Sequence, residues 1–127
     1  MTKIKVGIVG TGFIGPAHIE ALRRLPNIDV AALCEVTIEL AEAKAKQLGI
    51  GRWYTFEELL KQDDIQCVHI CTPNFLLYSQ SKAALLAGKH VVCEKPLAKD
   101  LHEAEELVEL AAKTGLVNAV HFNLRYY

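Results

Sequence analysis

The chain is short of most features that would give its function away cheaply. It has no excess of one charge: 14 Lys and Arg stand against 15 Asp and Glu, a formal net charge of −1. Nucleic acids and acidic membrane surfaces need clustered Lys and Arg, so neither is expected as a partner. It also lacks an apolar run near the roughly 20 residues that a membrane-spanning helix requires. The opening MTKIKVGIVG leads into a strand-like run rather than the apolar region of a secretion signal. A cytoplasmic, soluble protein is the expectation. Low-complexity tracts, internal repeats and a Pro- or Ser-rich linker are missing as well. At 127 residues the chain fits one domain, residues 1–127, and half of it is hydrophobic, enough to build a core.

Cysteine is scarce and poorly spaced for metal. Cys34, Cys67, Cys71 and Cys93 include no C-x-x-C pair. Cys67, His69 and Cys71 alternate and would share one face of a strand. Zinc ligands come more often from loops in paired spacings, so small buried thiols in a reducing compartment are the expectation, with no metal.

What the chain does have is alternation. Ile4–Val9, Asp29–Cys34, the short WYT at 53–55, QCVHIC at 66–71, HVVCE at 90–94 and LVNAVHFN at 116–123 read as strands. Helical patterns separate them. One starts at Phe13 with Pro16 in its first turn, where a missing N–H costs little. Another runs from Ile38 and closes at Gly49. Thr55 with Glu58, and Asp100 with Glu103, have the spacing of capping boxes at two further helix starts. TPN at 72–74 turns into a helix running to about Ala87. Strands that are apolar throughout suit a parallel sheet covered on both faces. The expected fold is α/β, a doubly wound parallel sheet of about six strands.

Between the first strand and first helix lies GTGFIG. Gly10 would allow a sharp turn, Gly12 would leave room for a pyrophosphate, and Gly15 would let the helix approach the strand. Backbone N–H groups near Phe13 and Ile14 would face the phosphates. Glu35 follows Gly15 by twenty positions, at the end of the second strand, where a carboxylate can accept from ribose hydroxyls. With no Arg or Lys next to it, Glu35 favours NAD, with NADP as the second candidate. The pattern is that of a Rossmann cofactor turn.

GTGFIGPAH, CTPN, AGKHVVCEKPLA and NLRYY, in this order and spacing, resemble the N-terminal half of the Gfo/Idh/MocA oxidoreductases over essentially the whole chain. The resemblance implies hydride transfer between a nicotinamide and a sugar, polyol or related hydroxyl or carbonyl compound. It implies that Lys95 lies near the reacting oxygen as the catalytic residue. Glu94 would lie by the nicotinamide ribose, and Thr72, Pro73 and Asn74 would border the middle of the cofactor. Asn123 and Arg125 match a less constant pair near the site. His18 matches a common family position, where packing or capping is the expected role. His69, His90, His102 and His121 show no catalytic spacing and are expected to be structural or solvated. Leu77 departs from the family's T-P-N-x-x-H.

Family enzymes carry a second domain that supplies most of the substrate pocket. This chain therefore reads as the dinucleotide-binding domain of a longer enzyme, with that C-terminal domain absent from it and the fragment alone inactive. Self-association through the surface left by the missing domain is expected. The alternative is a stand-alone module that binds or senses NAD(H) without catalysis.

Overall fold

The computed structural model describes residues 2–126; Tyr127, the last residue of NLRYY, lies outside the described residues. Six strands and five α-helices alternate: β1 (Ile4–Val9), α1 (Gly15–Arg23), β2 (Ile28–Cys34), α2 (Ile38–Leu48), β3 (Trp53–Tyr54), α3 (Phe56–Leu60), β4 (Cys67–Ile70), α4 (Asn74–Leu86), β5 (His90–Glu94), α5 (Leu101–Thr114) and β6 (Asn118–His121). All pairings are parallel and the strand order is β3-β2-β1-β4-β5-β6. β1 and β4 meet at the centre, where the order reverses direction. In such sheets the ends of these two strands diverge into a crevice. Among the described residues no helix is long and apolar enough to cross a membrane.

Alternation along the strands divides the apolar residues between two cores. Val6 and Ile8 of β1, with Leu33 of β2, face Ile19 and Leu22 of α1 and Ala41 and Ala45 of α2. Val9, Ala32, Val68, Ile70 and Val91 face the other way, onto Leu59, Leu77, Ala84 and Leu85. Leu77 is wholly buried in this second core, so the departure from T-P-N-x-x-H puts a packing residue at that position.

The helix boundaries follow local chemistry. Thr37 caps α2 by accepting from the Leu40 N–H, and Thr55 and Glu58 form the complete capping box before α3. At α5 only half of the expected box forms. Asp100 accepts from the Glu103 N–H at 2.9 Å, while the Glu103 carboxylate turns to the Lys99 N–H instead. Gly49 and Gly115 close α2 and α5 in the left-handed conformation.

β6 is shorter than the run LVNAVHFN suggested. It has one neighbour, and that pairing ends at Glu94 opposite His121. Beyond this point the backbone has no ladder to join, and Asn123–Tyr126 wind into a 3-10 turn. Lys89 fixes the other approach to β5. Its ammonium is buried and donates to the carbonyls of Gln62 and Ile65, which ties the α3–β4 loop to the start of β5.

Candidate functional site

The carboxyl ends of β1, β2, β4 and β5 open onto one crevice of about 1020 Å³. Gly10, Gly12, Phe13, Ile14, Glu35, Thr72, Pro73, Asn74, Glu94, Lys95 and Asn123 all line it. Arg125 does not; it lies exposed in the 3-10 turn. Lys95 follows β5 directly, and its bond to Pro96 is cis.

Each glycine of the first turn has its own reason. Gly10 adopts a φ of +87°, and a β-carbon there would press on Thr72 and the Cys71 backbone. A β-carbon on Gly15 would stand 2.3 Å from the Gly10 carbonyl oxygen, so only glycine lets α1 start this close to the loop. Gly12 faces open space, with nothing within 4 Å of a β-carbon. Packing therefore does not require glycine at position 12, whereas close approach of an outside molecule would. Helix α1 begins with no side-chain cap and no acid in its first turn, so its N-terminal partial positive charge points unneutralised at that space.

Glu35 is held to the glycine turn by Thr11, a residue that the sequence reading passed over. Thr11 is buried, and both its N–H and its hydroxyl donate to Glu35 Oε1, at 2.7 and 2.6 Å. Glu35 Oε2 accepts only a longer contact from the Val36 N–H, at 3.2 Å. One oxygen is thus engaged twice and the other by this single longer contact, in a residue that lines the crevice. The expectation that no cation sits next to Glu35 holds along the sequence, but Lys44 of α2 lines the same crevice.

At the far end, Glu94 gathers three of the histidines. His18 Nε2 of α1 donates to Glu94 Oε1 at 2.7 Å, and His121 Nδ1 of β6 donates to the same oxygen at 2.5 Å. His18 Nδ1 meets His69 Nδ1 of β4 at 2.9 Å. Glu94 Oε2 accepts the Lys95 N–H at 3.3 Å. The burial of His18 fits the expected packing role rather than capping, and the contacts give these histidines definite partners. His18 caps nothing; it is a buried partner of Glu94. His69 and His121, expected to be merely structural or solvated, belong to the same network. His90 accepts the Val117 N–H and His102 is exposed, both away from it.

The charge states follow from these contacts. Burial acts to raise the Glu94 pKa, but the hydrogen bonds from His18 and His121 outweigh it and hold the carboxyl below its ordinary value. Burial lowers His69, helped by the charges of His18 and His121, to about 4, which keeps that ring neutral near pH 7. Burial raises the thiols of Cys34 to about 12 and of Cys67 to about 11, and pushes Cys71 and Cys93 up as well. Such thiols stay protonated and unreactive.

His18, Glu94 and His121 also bring three potential metal-ligand atoms within 4.8 Å of one another. Ligands around a tetrahedral zinc stand about 3.3 Å apart. The nitrogen–oxygen separations of 2.7 and 2.5 Å are instead those of direct hydrogen bonds. The side chains form a hydrogen-bond network.

Comparison with known proteins agrees with this geometry. Residues 4–122 match the family model described as an oxidoreductase family with an NAD-binding Rossmann fold. A 1,5-anhydro-D-fructose reductase of Ensifer adhaerens is 36% identical over 120 residues, covering 94% of this chain and 36% of that protein. The crystal structure of an NAD binding oxidoreductase from Klebsiella pneumoniae superposes with a TM-score of 0.94 at 36% identity, over 99% of this chain and 36% of that one. Scyllo-inositol dehydrogenase from Lactobacillus casei, with bound NAD(H) and scyllo-inositol, superposes at 0.88 and 29% identity, over 99% of this chain and 38% of that one. The chain thus spans about a third of the length of the relatives it matches. It belongs to the Gfo/Idh/MocA oxidoreductases, through their Rossmann domain.

Proposed function

We propose that the chain binds a nicotinamide dinucleotide along the crevice, as the cofactor half of an oxidoreductase acting on a sugar, polyol or related compound. The observation that carries this is the pairing of an empty approach over Gly12 with two held carboxylates, Glu35 and Glu94, at opposite ends of one cavity. The turn from Gly10 to Gly15, with the N–H groups at Phe13 and Ile14, would take the pyrophosphate. Glu35 Oε2 would accept from the ribose hydroxyls of the adenosine. Thr72, Pro73 and Asn74 would border the middle. Phe13 and Phe75 are exposed at the rim, where a bound ring system would cover them.

The bound nicotinamide would supply or accept the hydride. Glu94 would orient the adjoining ribose, and Lys95 would stabilise negative charge developing on the substrate oxygen. Asn123 would close the same end, and Arg125 would act only after moving from its exposed position. Proton transfer to the substrate needs a further positioned group. This supports the reading that residues 1–127 are the cofactor domain of a longer enzyme and turn over little alone. Self-association through the surface of the missing domain is part of the same proposal, and sedimentation at rising concentration would test it. Four unpaired, mostly buried cysteines suit a cytoplasmic setting.

The test is a calorimetric titration of the chain with NAD+ and with NADP+, repeated on Glu35→Ala. Tighter binding of NAD+ that Glu35→Ala narrows is expected. A folded chain that binds neither nucleotide would overturn the reading.

A further inference from the structure

We propose that the His69–His18 pair takes up one proton beside Glu94 and so sets the preference of the crevice for the reduced over the oxidised nicotinamide, which makes His18 a charge-setting residue of the cofactor site. The inference rests on the cofactor reading above.

The hydrogen placement is determined by the contacts. Glu94 Oε1 is an acceptor, so His18 carries a hydrogen on Nε2. With a neutral His18, its Nδ1 is bare and must accept from His69 Nδ1–H across the 2.9 Å contact. A proton from water that joins His69 at Nε2 displaces the Nδ1 hydrogen toward His18 Nδ1. His69 then ends neutral with its hydrogen on Nε2, and His18 ends as the cation. One proton has been added, the contact between the rings is kept with its direction reversed, and Glu94 still accepts from His18. A device that gains charge without breaking a hydrogen bond pays no unsatisfied-donor penalty in either state.

The surroundings favour His18 as the carrier. Glu94 from β5 faces it directly; His69 comes from β4, the Cys71 thiol from just after β4 and His121 from β6, and Lys95 follows Glu94. The buried carboxylate is the anion in contact with His18, whereas the depressed pKa of His69 keeps the charge off that ring. Of the two imidazoles on Glu94, His18 is the one whose second nitrogen already meets a ring nitrogen able to donate or accept. Glu94 alone presents a negative charge to the nicotinamide end, which favours the cationic ring of NAD+. Glu94 beside a protonated His18 presents a neutral pair, which removes that advantage and leaves the uncharged ring of NADH unaffected.

The experiment measures the dissociation constants of this chain for NAD+ and NADH by calorimetry between about pH 8 and about pH 5.5, across the range of histidine titration. The ratio Kd(NAD+)/Kd(NADH) is expected to rise roughly three- to tenfold on acidification, the scale of one partly screened charge. His18→Gln keeps a donor for Glu94 but cannot take the proton, so its ratio should be flat; His121→Gln should retain the slope. A flat ratio in the unaltered chain, an unchanged slope in His18→Gln, or a slope lost only in His121→Gln would each overturn the inference while the cofactor reading stands. Absence of binding to either nucleotide at every pH would overturn both. Imidazole NMR of the unaltered chain gives a second reading that needs no variant to fold. His18 and His69 should respond in one shared step, whose midpoint NAD+ lowers more than NADH does; a His18 ring that does not titrate overturns the inference.

Discussion

The crevice has a carboxylate at each end, and the two are held by opposite means. Glu35 is fixed by a neighbour in the glycine turn, through the backbone and hydroxyl of Thr11, and its second oxygen is only lightly engaged. Glu94 is fixed by rings drawn from α1 and β6, with a third ring from β4 behind them. The first arrangement gives a fixed acceptor suited to hydroxyl recognition. The second gives an anion whose effective charge depends on its supports. On the proposed function, the end at Glu35 would recognise the adenosine through fixed dipoles, and the end at Glu94 would answer to titratable groups.

The change expected to break both ends together is Gly15→Ala. Its β-carbon would meet the Gly10 carbonyl at 2.3 Å and push α1 off the loop, displacing His18 along with the glycine turn. A loss of about 3 kcal/mol is expected, read as a lower midpoint in urea. Gly12→Ala, with open space at its β-carbon, should leave that midpoint nearly unchanged while weakening nucleotide binding.

Next in size is Glu94→Ala, which strands the ring donors of His18 and His121 in a buried site. A cost of about 2 kcal/mol is expected, and Glu35→Ala should cost less, because its second oxygen is only lightly engaged. Equal losses by thermal unfolding would erase the proposed distinction between the ends.

The pH dependence of stability sharpens the contrast further. The folded Glu94 pKa lies below its ordinary 4.5, so the stability it contributes is present above 4.5 and is lost as pH falls through the folded value. His69 is depressed from 6.5 to about 4, so between those values the unfolded chain binds a proton there that the folded chain does not. Both signs agree: stability falls with acidification, beginning near 6.5. His69→Gln should flatten the upper part of that fall in denaturant midpoints measured against pH, and a profile identical to that of the unaltered chain would contradict this assignment.

The smallest effect is expected at Thr11→Val, which removes the hydroxyl donor but leaves the backbone one. Preference for NAD+ over NADP+ should drop several-fold, about 1 kcal/mol, with stability little changed. Lys44 on the crevice wall should amplify that drop, because it offers a cation to a 2′-phosphate once Glu35 loosens.

The same contrast explains what could be read from the residues alone. The strand–helix order, the glycine turn and Glu35 are local patterns, each set by spacings of a few residues or by one strand–helix–strand unit. Thr55 with Glu58 was legible for the same reason. Glu94 could be noticed only through the family resemblance, and its partners lie 76 and 27 residues away, with His69 a further 51 from His18. No periodicity connects such positions; the parallel register does, by setting His69, Glu94 and His121 on one face of neighbouring strands. Lys44 escaped notice because a helix carries it back to the crevice from nine residues past Glu35. β6 ends before the apolar run does, because an edge strand stops where its single partner stops.

Helix α1 has one more consequence. Gly15 and His18 lie three residues apart, about 4.5 Å along the axis and within a single turn. That turn is a stiff mechanical link with the glycine loop at one end and the Glu94 network at the other. Any pull on the start of the helix is transmitted to the histidine by nearly the same displacement, so the two halves of the crevice cannot be adjusted independently along this axis.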